Sequence, residues 1–521
     1  MTNPSTLYRG GVLHCPADPS ATALLVSGGR ITWLGTDGDA PPAEKVVDLG
    51  GALVTPAFVD AHVHATDTGL ALSGLDLAGV RSAGQLLDAV AGFAAGLPAD
   101  AVVLGHGWDE SAWSDATVPD AAALGRAAGG RQVYVSQASL HSALVSSALL
   151  AACPQVVRAT GYDASGWLRR DAHHVVRAAA QGSVSRAQRV AAQRVALAHA
   201  ASLGIAAVHE CGGPEISDEE DFTGLLGISG AGLPEVYGYW GELGGAARAR
   251  ELGAVGAGGD LFADGALGAR TAHVSQAYGD GDGCGHAYLS AEQVRDHLLD
   301  CAAHGLQGGF HAIGDAAIGT VLDGFGQAAR TLGVERLRAA RHRIEHAEIM
   351  NKRLIAGFVE YGVVASMQPA FDRLWGGAGR MYESRLGLDR ALESNPMGAM
   401  HGVGVALAFG SDSPVTPLDP WGSVRAAAAH HNRAQRMSVR AAFAAHTRGG
   451  WRAVHLDAEG VLALGAPATF AVWSTPAGVE RGLPVLLAED PDLRGPDDPT
   501  PLPVCRRLVL RGEVIYEEGS S

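Results

Sequence analysis

"TPAFVDAHVH" (residues 55–64) is an apolar run that ends on two histidines two positions apart, His62 and His64. On an extended strand, residues i and i+2 face the same side. Both imidazoles are therefore presented together, and two neutral imidazoles can grip a borderline-soft cation such as Zn²⁺ at about 2.0–2.1 Å. A pair of satisfied core histidines would give the same pattern, so the stretch does not decide alone. Three further segments extend it: His311 in "GGFHAIGD", His346 in "RIEHAE" and Asp412 in "AFGSDSP" each close an apolar run. A core-histidine explanation would have to be repeated at every one of them, whereas converging ligand types are what a metal site requires.

Those runs alternate with Ala-rich stretches of helical spacing such as "RAQRVAAQRVALAHAASLG" and "SAEQVRDHLLDCAAHG", which predicts a parallel sheet. A single site can collect His or Asp from several successive strand ends only if the strands form a ring, so a closed barrel is expected rather than an open sheet. The fold class is thus α/β, a (β/α)8 TIM barrel over residues 57–455. Strand-like segments before residue 57 and after residue 455 predict a small β-sandwich domain built from both termini, 1–56 plus 456–521, with the Pro/Asp-rich "AEDPDLRGPDDPTPLP" as an exposed loop.

Composition narrows the partners. The chain has 521 residues, 39 Lys+Arg against 55 Asp+Glu, and a net charge of -16. That field repels polyanions, so no nucleic acid and no polybasic membrane contact is expected, and a small-molecule substrate is. Its 6 cysteines show no CxxC pair or dense disulfide spacing, and no stretch offers the ~20 apolar residues of a membrane span. Reduced thiols and a cytoplasmic location are the expectation. A homodimer is the default for a soluble oligomer.

With the motifs in place, the chain resembles the amidohydrolase superfamily of metal-dependent hydrolases. The likeness is to its amidohydrolase-3 group, which holds YtcJ-like proteins and N-substituted formamide deformylases. The stretches that carry it are "PAFVDAHVH", "GHGWDESAW", "LFADGALGARTA", "HAIGDAAI", "RIEHAE", "MQP" and "GSDSPV", in the family's order and over nearly the whole chain. The resemblance implies that His62, His64, His311 and His346 are metal ligands or their neighbours. It makes Asp412 the strand-8 aspartate that touches the metal-bound water and shuttles its proton. Members with two ions carry a carboxylated lysine on strand 4; here Asp260 stands in its place. Neither Lys45 nor Lys352, the only lysines, lies where a bridge is needed.

Two arrangements follow. In the first, one ion is held by His62, His64, His311 and Asp412, with His346 behind them or polarising the substrate carbonyl. In the second, Asp260 supplies a bridging or terminal carboxylate and two ions bind. An aspartate is shorter than a carboxylated lysine and reaches the ions only if the backbone moves inward, so the expectation sets one Zn²⁺ ahead of two, with Asp260 otherwise an exposed residue at a strand start. The ligand set then implies hydrolysis of a C–N bond, amide or formamide-like, with Asp412 as proton shuttle and His346 or the ion stabilising the oxyanion. A deaminase or cyclic amidohydrolase would use the same site, and a degenerate ligand-binding barrel is the reading from a different class. By family analogy Trp108, Asp109, Trp113 and His141 are expected to line the substrate pocket, with a structural role the alternative for the tryptophans, and Asp264 and Arg270 to bind substrate beside the site, with a local salt bridge or turn cap the alternative. Arg270 and Arg343 are the candidate carboxylate anchors, Asp315 is expected to hold His311, and His209 is placed at the end of strand 3 without a tie to the metal.

Overall fold

The computed structural model describes residues 5–113, 117–138, 142–490, 493–495 and 498–519. The chain divides into two compact units, one of Met1–Ala65 with Leu197–Ser521, the other of Thr66–Ala196.

The first unit holds eight parallel strands in one sheet: β1 (Phe58–Val63), β2 (Ile205–Gly212), β3 (Glu235–Trp240), β4 (Gly256–Ala257), β5 (Gln307–Ala312), β6 (Arg343–His346), β7 (Val364–Met367) and β8 (Ala406–Phe409). They pair strictly in sequence order. The ring closes between its first and last members, where Asp412 N donates to His62 O (2.8 Å) and His64 N donates to Ser413 O (2.9 Å). This is the expected barrel. β1, β2, β5, β6 and β7 are buried along their whole length, which is why they read as continuous apolar runs rather than alternating ones. Helices between them end on local signals: the helix Ala291–His304 opens on a Ser290/Gln293 capping box and stops at left-handed Gly305.

β4 is only two residues long, and the reason bears on the site. After Ala257 the chain turns through Gly258 (φ +144°) and Gly259 (φ +77°), and a Cβ on Gly258 would lie 2.2 Å from Gly309 N of β5. The two backbones can cross this closely because none of Gly258, Gly259 and Gly309 has a side chain. The segment re-joins the sheet beyond the kink, where His311 N donates to Leu261 O (3.0 Å) and Ala263 N to His311 O (2.9 Å). Asp260 sits inside this detour.

Both termini build a β-domain in the same unit. A four-stranded sheet runs in the order Arg30–Gly35, Ala23–Ser27, Thr6–Arg9, Lys45–Asp48, and a five-stranded one in the order Val12–Leu13, Leu53–Pro56, Phe470–Ser474, Val504–Leu510, Glu513–Glu517. They share a core in which Tyr8, Leu24, Ile31, Val54, Phe470 and Val509 are buried together.

From sequence alone, residues 57–455 read as one barrel. The structure sets Thr66–Ala196 apart as a compact unit with a sheet of its own, whose strands are Trp167–Arg169, Ser142–Val145, Val133–Gln137, Val103–Trp108 and Leu75–Asp76. Leu86, Val90, Leu124 and Val133 are among its core residues. Its alternating strands and helices resemble those of the barrel in periodicity, so pattern could not separate them. Among the described residues, no helix is long and apolar enough to cross a membrane.

Candidate metal centre

Four histidines converge on one carboxylate. Asp260 Oδ2 lies 3.4 Å from His62 Nε2 and 3.3 Å from His64 Nε2, and Asp260 Oδ1 lies 3.4 Å from His311 Nδ1 and 3.6 Å from His346 Nε2. Asp412 Oδ1 joins the first set, 3.5 Å from His62 Nε2 and 3.2 Å from His64 Nε2. The β4 kink thus supplies the inward movement that a short side chain needs. Asp260 is only 7% exposed, so it is not an exposed residue at a strand start.

Each imidazole has its other nitrogen committed outward. His62 Nδ1 donates to Glu345 Oε2 (2.9 Å), His64 Nδ1 to Cys211 O (3.0 Å), His346 Nδ1 to Gln368 Oε1 (2.8 Å) and His311 Nε2 to Gly265 O (3.2 Å). A neutral ring with one N–H used in this way has a bare lone pair on the other nitrogen. All four lone pairs face acceptor-only carboxylate oxygens, and His62 Nε2, His311 Nδ1, His346 Nε2 and Asp260 Oδ1 are buried without a hydrogen-bond partner. Lone pairs opposed at this range call for positive charge between them, either a proton on the ring or a metal ion, and against the lowering effect of burial the carboxylates accordingly hold His62, His64 and His311 above the ordinary imidazole range. The spacings also match the roughly 3.3–3.5 Å between donors that bonds of about 2.0–2.1 Å at a tetrahedral angle require. The residues present therefore fit a divalent metal.

Behind the ligands lies a charged layer in the barrel interior. Arg343 donates through Nε and Nη2 to both oxygens of Glu345 (2.5 and 2.9 Å), and through Nη2 to Ala61 O (2.5 Å) and Ser366 Oγ (2.9 Å). Its Nη1 reaches His209 Nδ1 (3.0 Å), and its guanidinium carbon sits 4.3 Å over the Tyr239 ring. Burial alone would push the Glu345 carboxyl up, but the Arg343 guanidinium and His62 outweigh it and hold it well below the usual carboxylate range. Glu345 is consequently an anion that fixes the His62 tautomer. Burial, reinforced by Arg343, holds His209 well below its ordinary value, so it is a neutral acceptor. It stands on β2, not at the end of a third strand, and Arg343 is saturated inside the barrel rather than free to anchor a substrate.

Strand alternation would face Glu345 and His346 to opposite sides. His346 and Ala347 adopt left-handed backbone (φ 70° and 48°), as does Asp412 (φ 57°). Such conformations are uncommon for residues with a Cβ and cluster at functional sites. At β6 the turn lets Glu345 and the candidate ligand His346, adjacent in sequence, both face the same cluster. Arg343, Glu345 and Gln368 contact the candidate ligands or their partners, which spacing alone does not reveal. The available signal was the buried charge pair within "RIEH".

The other candidates are placed as follows. Asp264 is fully buried and accepts from His273 N (2.8 Å), Ile313 N (3.0 Å) and Gly314 N (2.8 Å), tying together the loops beside His311. Arg270 is exposed and ion-paired with Asp280 (2.9 Å). Asp315 accepts from Ser275 N (2.8 Å), while the outer nitrogen of His311 goes to Gly265, so Asp315 does not hold that ring. Trp108 and Asp109 belong to the second unit: Trp108 Nε1 donates to Val135 O (2.9 Å), and Asp109 caps a short 3-10 helix by accepting from Ser111 N (3.0 Å). Trp113, in the same unit, donates to Val80 O (3.1 Å). His141 lies outside the described residues.

The amidohydrolase family model matches residues 45–516. Putative amidohydrolase YtcJ of Bacillus subtilis (strain 168) is 26% identical over 277 residues, 50% of this chain and 47% of that protein. Protein LONG AFTER FAR-RED 3 of Arabidopsis thaliana is 32% identical over 225 residues, 41% of this chain and 38% of that protein. The chain thus spans less than half the length of these curated relatives. An uncharacterized metal-dependent hydrolase from Pyrococcus furiosus superposes with a TM-score of 0.74 at 24% identity, covering 90% of this chain and 98% of its own, a likeness of fold.

Proposed function

Because the chain belongs to the amidohydrolase family, we propose that it is a metal-dependent hydrolase of small molecules that cleaves a C–N bond, amide or formamide-like, with Asp260 shared between two divalent ions. The observation that carries this reading is the division of the Asp260 carboxylate, one oxygen towards His62 and His64, which Asp412 also faces, and the other towards His311 and His346. It favours two ions over the single ion that side-chain length suggests. An imidazole-and-carboxylate donor set suits zinc.

When bound, such ions supply Lewis acidity for polarising a carbonyl and acidifying a water molecule. The chain's own groups do the rest. Asp412 sits at the end of β8 with Oδ1 towards His62 and His64; it takes the proton of the attacking water and returns it to the leaving nitrogen. His311 and His346 serve as ligands in this scheme. Glu345 keeps the His62 lone pair aimed inward.

The test is a metal titration of chelated protein followed by a screen of amides, formamides and cyclic or exocyclic ring C–N substrates, the last read by ammonia release. Near-stoichiometric uptake of two ions, reduced in Asp260→Asn, is expected. Failure to bind any ion would favour a degenerate ligand-binding barrel, and a single ion unaffected by Asp260→Asn would remove the bridge.

A further inference from the structure

The ligands stand at the C-terminal ends of the barrel strands. A second cavity, of about 490 Å³, opens at the opposite face, where its floor includes Val364 and Leu407 at the starts of β7 and β8. Small residues of the helices Val439–Ala445 and Arg448–Ala453 continue that apolar floor. Every charged side chain lining it is an arginine: Arg338, Arg341, Arg448 and Arg452. This runs against the composition of a chain in which acidic residues outnumber basic ones, 55 to 39. His401 adds a further nitrogen base to the lining.

The positive charge is not cancelled locally. Arg341 pairs with Asp457 (2.8 Å) and donates to Arg452 O (2.6 Å), and Arg452 reaches the same Asp457 at 3.4 Å. Among the described residues Arg338 donates only to neutral carbonyls, those of Val359 (2.9 Å) and Glu360 (3.0 Å). The Arg448 side chain makes no hydrogen bond or ion pair among the described residues. Of the four guanidinium groups, Arg341 and Arg452 thus share one carboxylate that is not part of the lining, and Arg338 and Arg448 face none among the described residues.

We infer that this face of the barrel is a binding site for a small organic anion, a phosphate or carboxylate on an apolar body, held by Arg338, Arg448 and Arg452 above the Val364 and Leu407 floor. Planar guanidinium forks match the paired oxygens of such groups, and an apolar floor with a few convergent polar groups is the ordinary construction of a small-molecule pocket. Its size falls within the usual range of roughly 300–1,000 Å³. The site lies at the strand ends remote from the metal ligands, so it is separate from the hydrolytic centre and independent of the reaction proposed there.

Calorimetric titration at fixed ionic strength tests this with three probes of similar apolar body: phenyl phosphate, benzoate and benzylamine. Saturable binding of phenyl phosphate, benzoate or both at one site per chain is expected, and which of them binds tells phosphate from carboxylate recognition. Arg448→Ala should weaken it about tenfold or more, Arg448→Lys should fall between, and Asp260→Asn should leave it intact. Arg448 is exposed, so these variants retain the core, and circular dichroism confirms it. Three results would overturn the inference: no saturation by either anion, benzylamine binding as well as the anions, or wild-type affinity in Arg448→Ala. Loss of binding in Asp260→Asn would likewise refute it by moving the anion to the metal centre.

Discussion

Gly309→Ala places one methyl group where β4 and β5 cross. The new Cβ would lie 2.6 Å from Gly259 N, 3.2 Å from Arg343 Cγ and 3.4 Å from Gly258 C. Ordinary contact begins near 3.4 Å, so the Gly258–Gly259 segment must retreat by about 0.8 Å. Asp260 is the next residue, and metal coordination tolerates only about ±0.2 Å. The retreat therefore exceeds what the bridge can absorb, while the overpacking itself costs about 1–3 kcal/mol, which a domain of this size survives. Metal affinity, read by competition with a chromophoric chelator, should fall about a hundredfold or more, beyond the 10–100-fold typical of changes behind the ligands. The rise in thermal midpoint on adding metal should shrink with it. Gly308→Ala is the control: its Cβ meets His342 Nδ1 at 3.1 Å and Leu298 at 3.2 Å, crowding the same strand away from the crossing, and it should cost stability without costing metal. Wild-type affinity in Gly309→Ala would refute the account of how Asp260 reaches the site.

Three further outcomes are expected. Glu345→Gln keeps the shape but removes the charge facing Arg343 and His62; metal affinity should drop about 10–100-fold and unfolding free energy by roughly 3–5 kcal/mol, because a buried guanidinium loses its partner, whereas unchanged chelator competition would reject its role in orienting His62. Asp412→Asn should lower kcat by about two to four orders of magnitude with far less effect on ion content, so an unchanged rate on any substrate found would remove it as proton shuttle. His342, buried and accepting from Gly308 N (2.8 Å), is pushed down to about 3 by burial and by the charges of His297 and His455. Its stabilisation is therefore complete above the unfolded value of about 6.5 and is lost as pH falls towards 3, at up to ~1.4 kcal/mol per unit, because the unfolded chain takes the proton first; urea midpoints of His342→Asn should depend less steeply on pH across that window.

The barrel was legible because its signal repeats. His62 with His64, then His311, His346 and Asp412, close four apolar runs, and four such endings constrain topology more tightly than any one of them. Asp260 was legible as a position and not as a contact: its reach depends on a glycine crossing between segments some fifty residues apart, which no local period encodes. Glu345 was hidden by the assumption of regular alternation, which the left-handed backbone at His346 breaks. The separate unit of Thr66–Ala196 was hidden for another reason, since strand and helix alternate in it much as they do in the barrel. Charge sign alone could not tell Arg343, locked to Glu345 in the interior, from Arg448, whose side chain has no partner among the described residues.

If Asp260 serves as the bridge proposed above, an aspartate in that place changes what the cell must supply to assemble the centre. A carboxylated lysine is a carbamate, formed reversibly from an amine and dissolved carbon dioxide, so a centre built on it matures only as fast as that gas is available and decays when it is withdrawn. Asp260 is complete when the ribosome releases it. A centre bridged in this way should mature at a rate set by ion supply alone, identical in degassed and bicarbonate-rich buffer, and should survive storage in carbon-dioxide-free conditions. On that proposal, the glycine crossing would be the means by which the chain dispenses with a gaseous co-substrate for its own maturation.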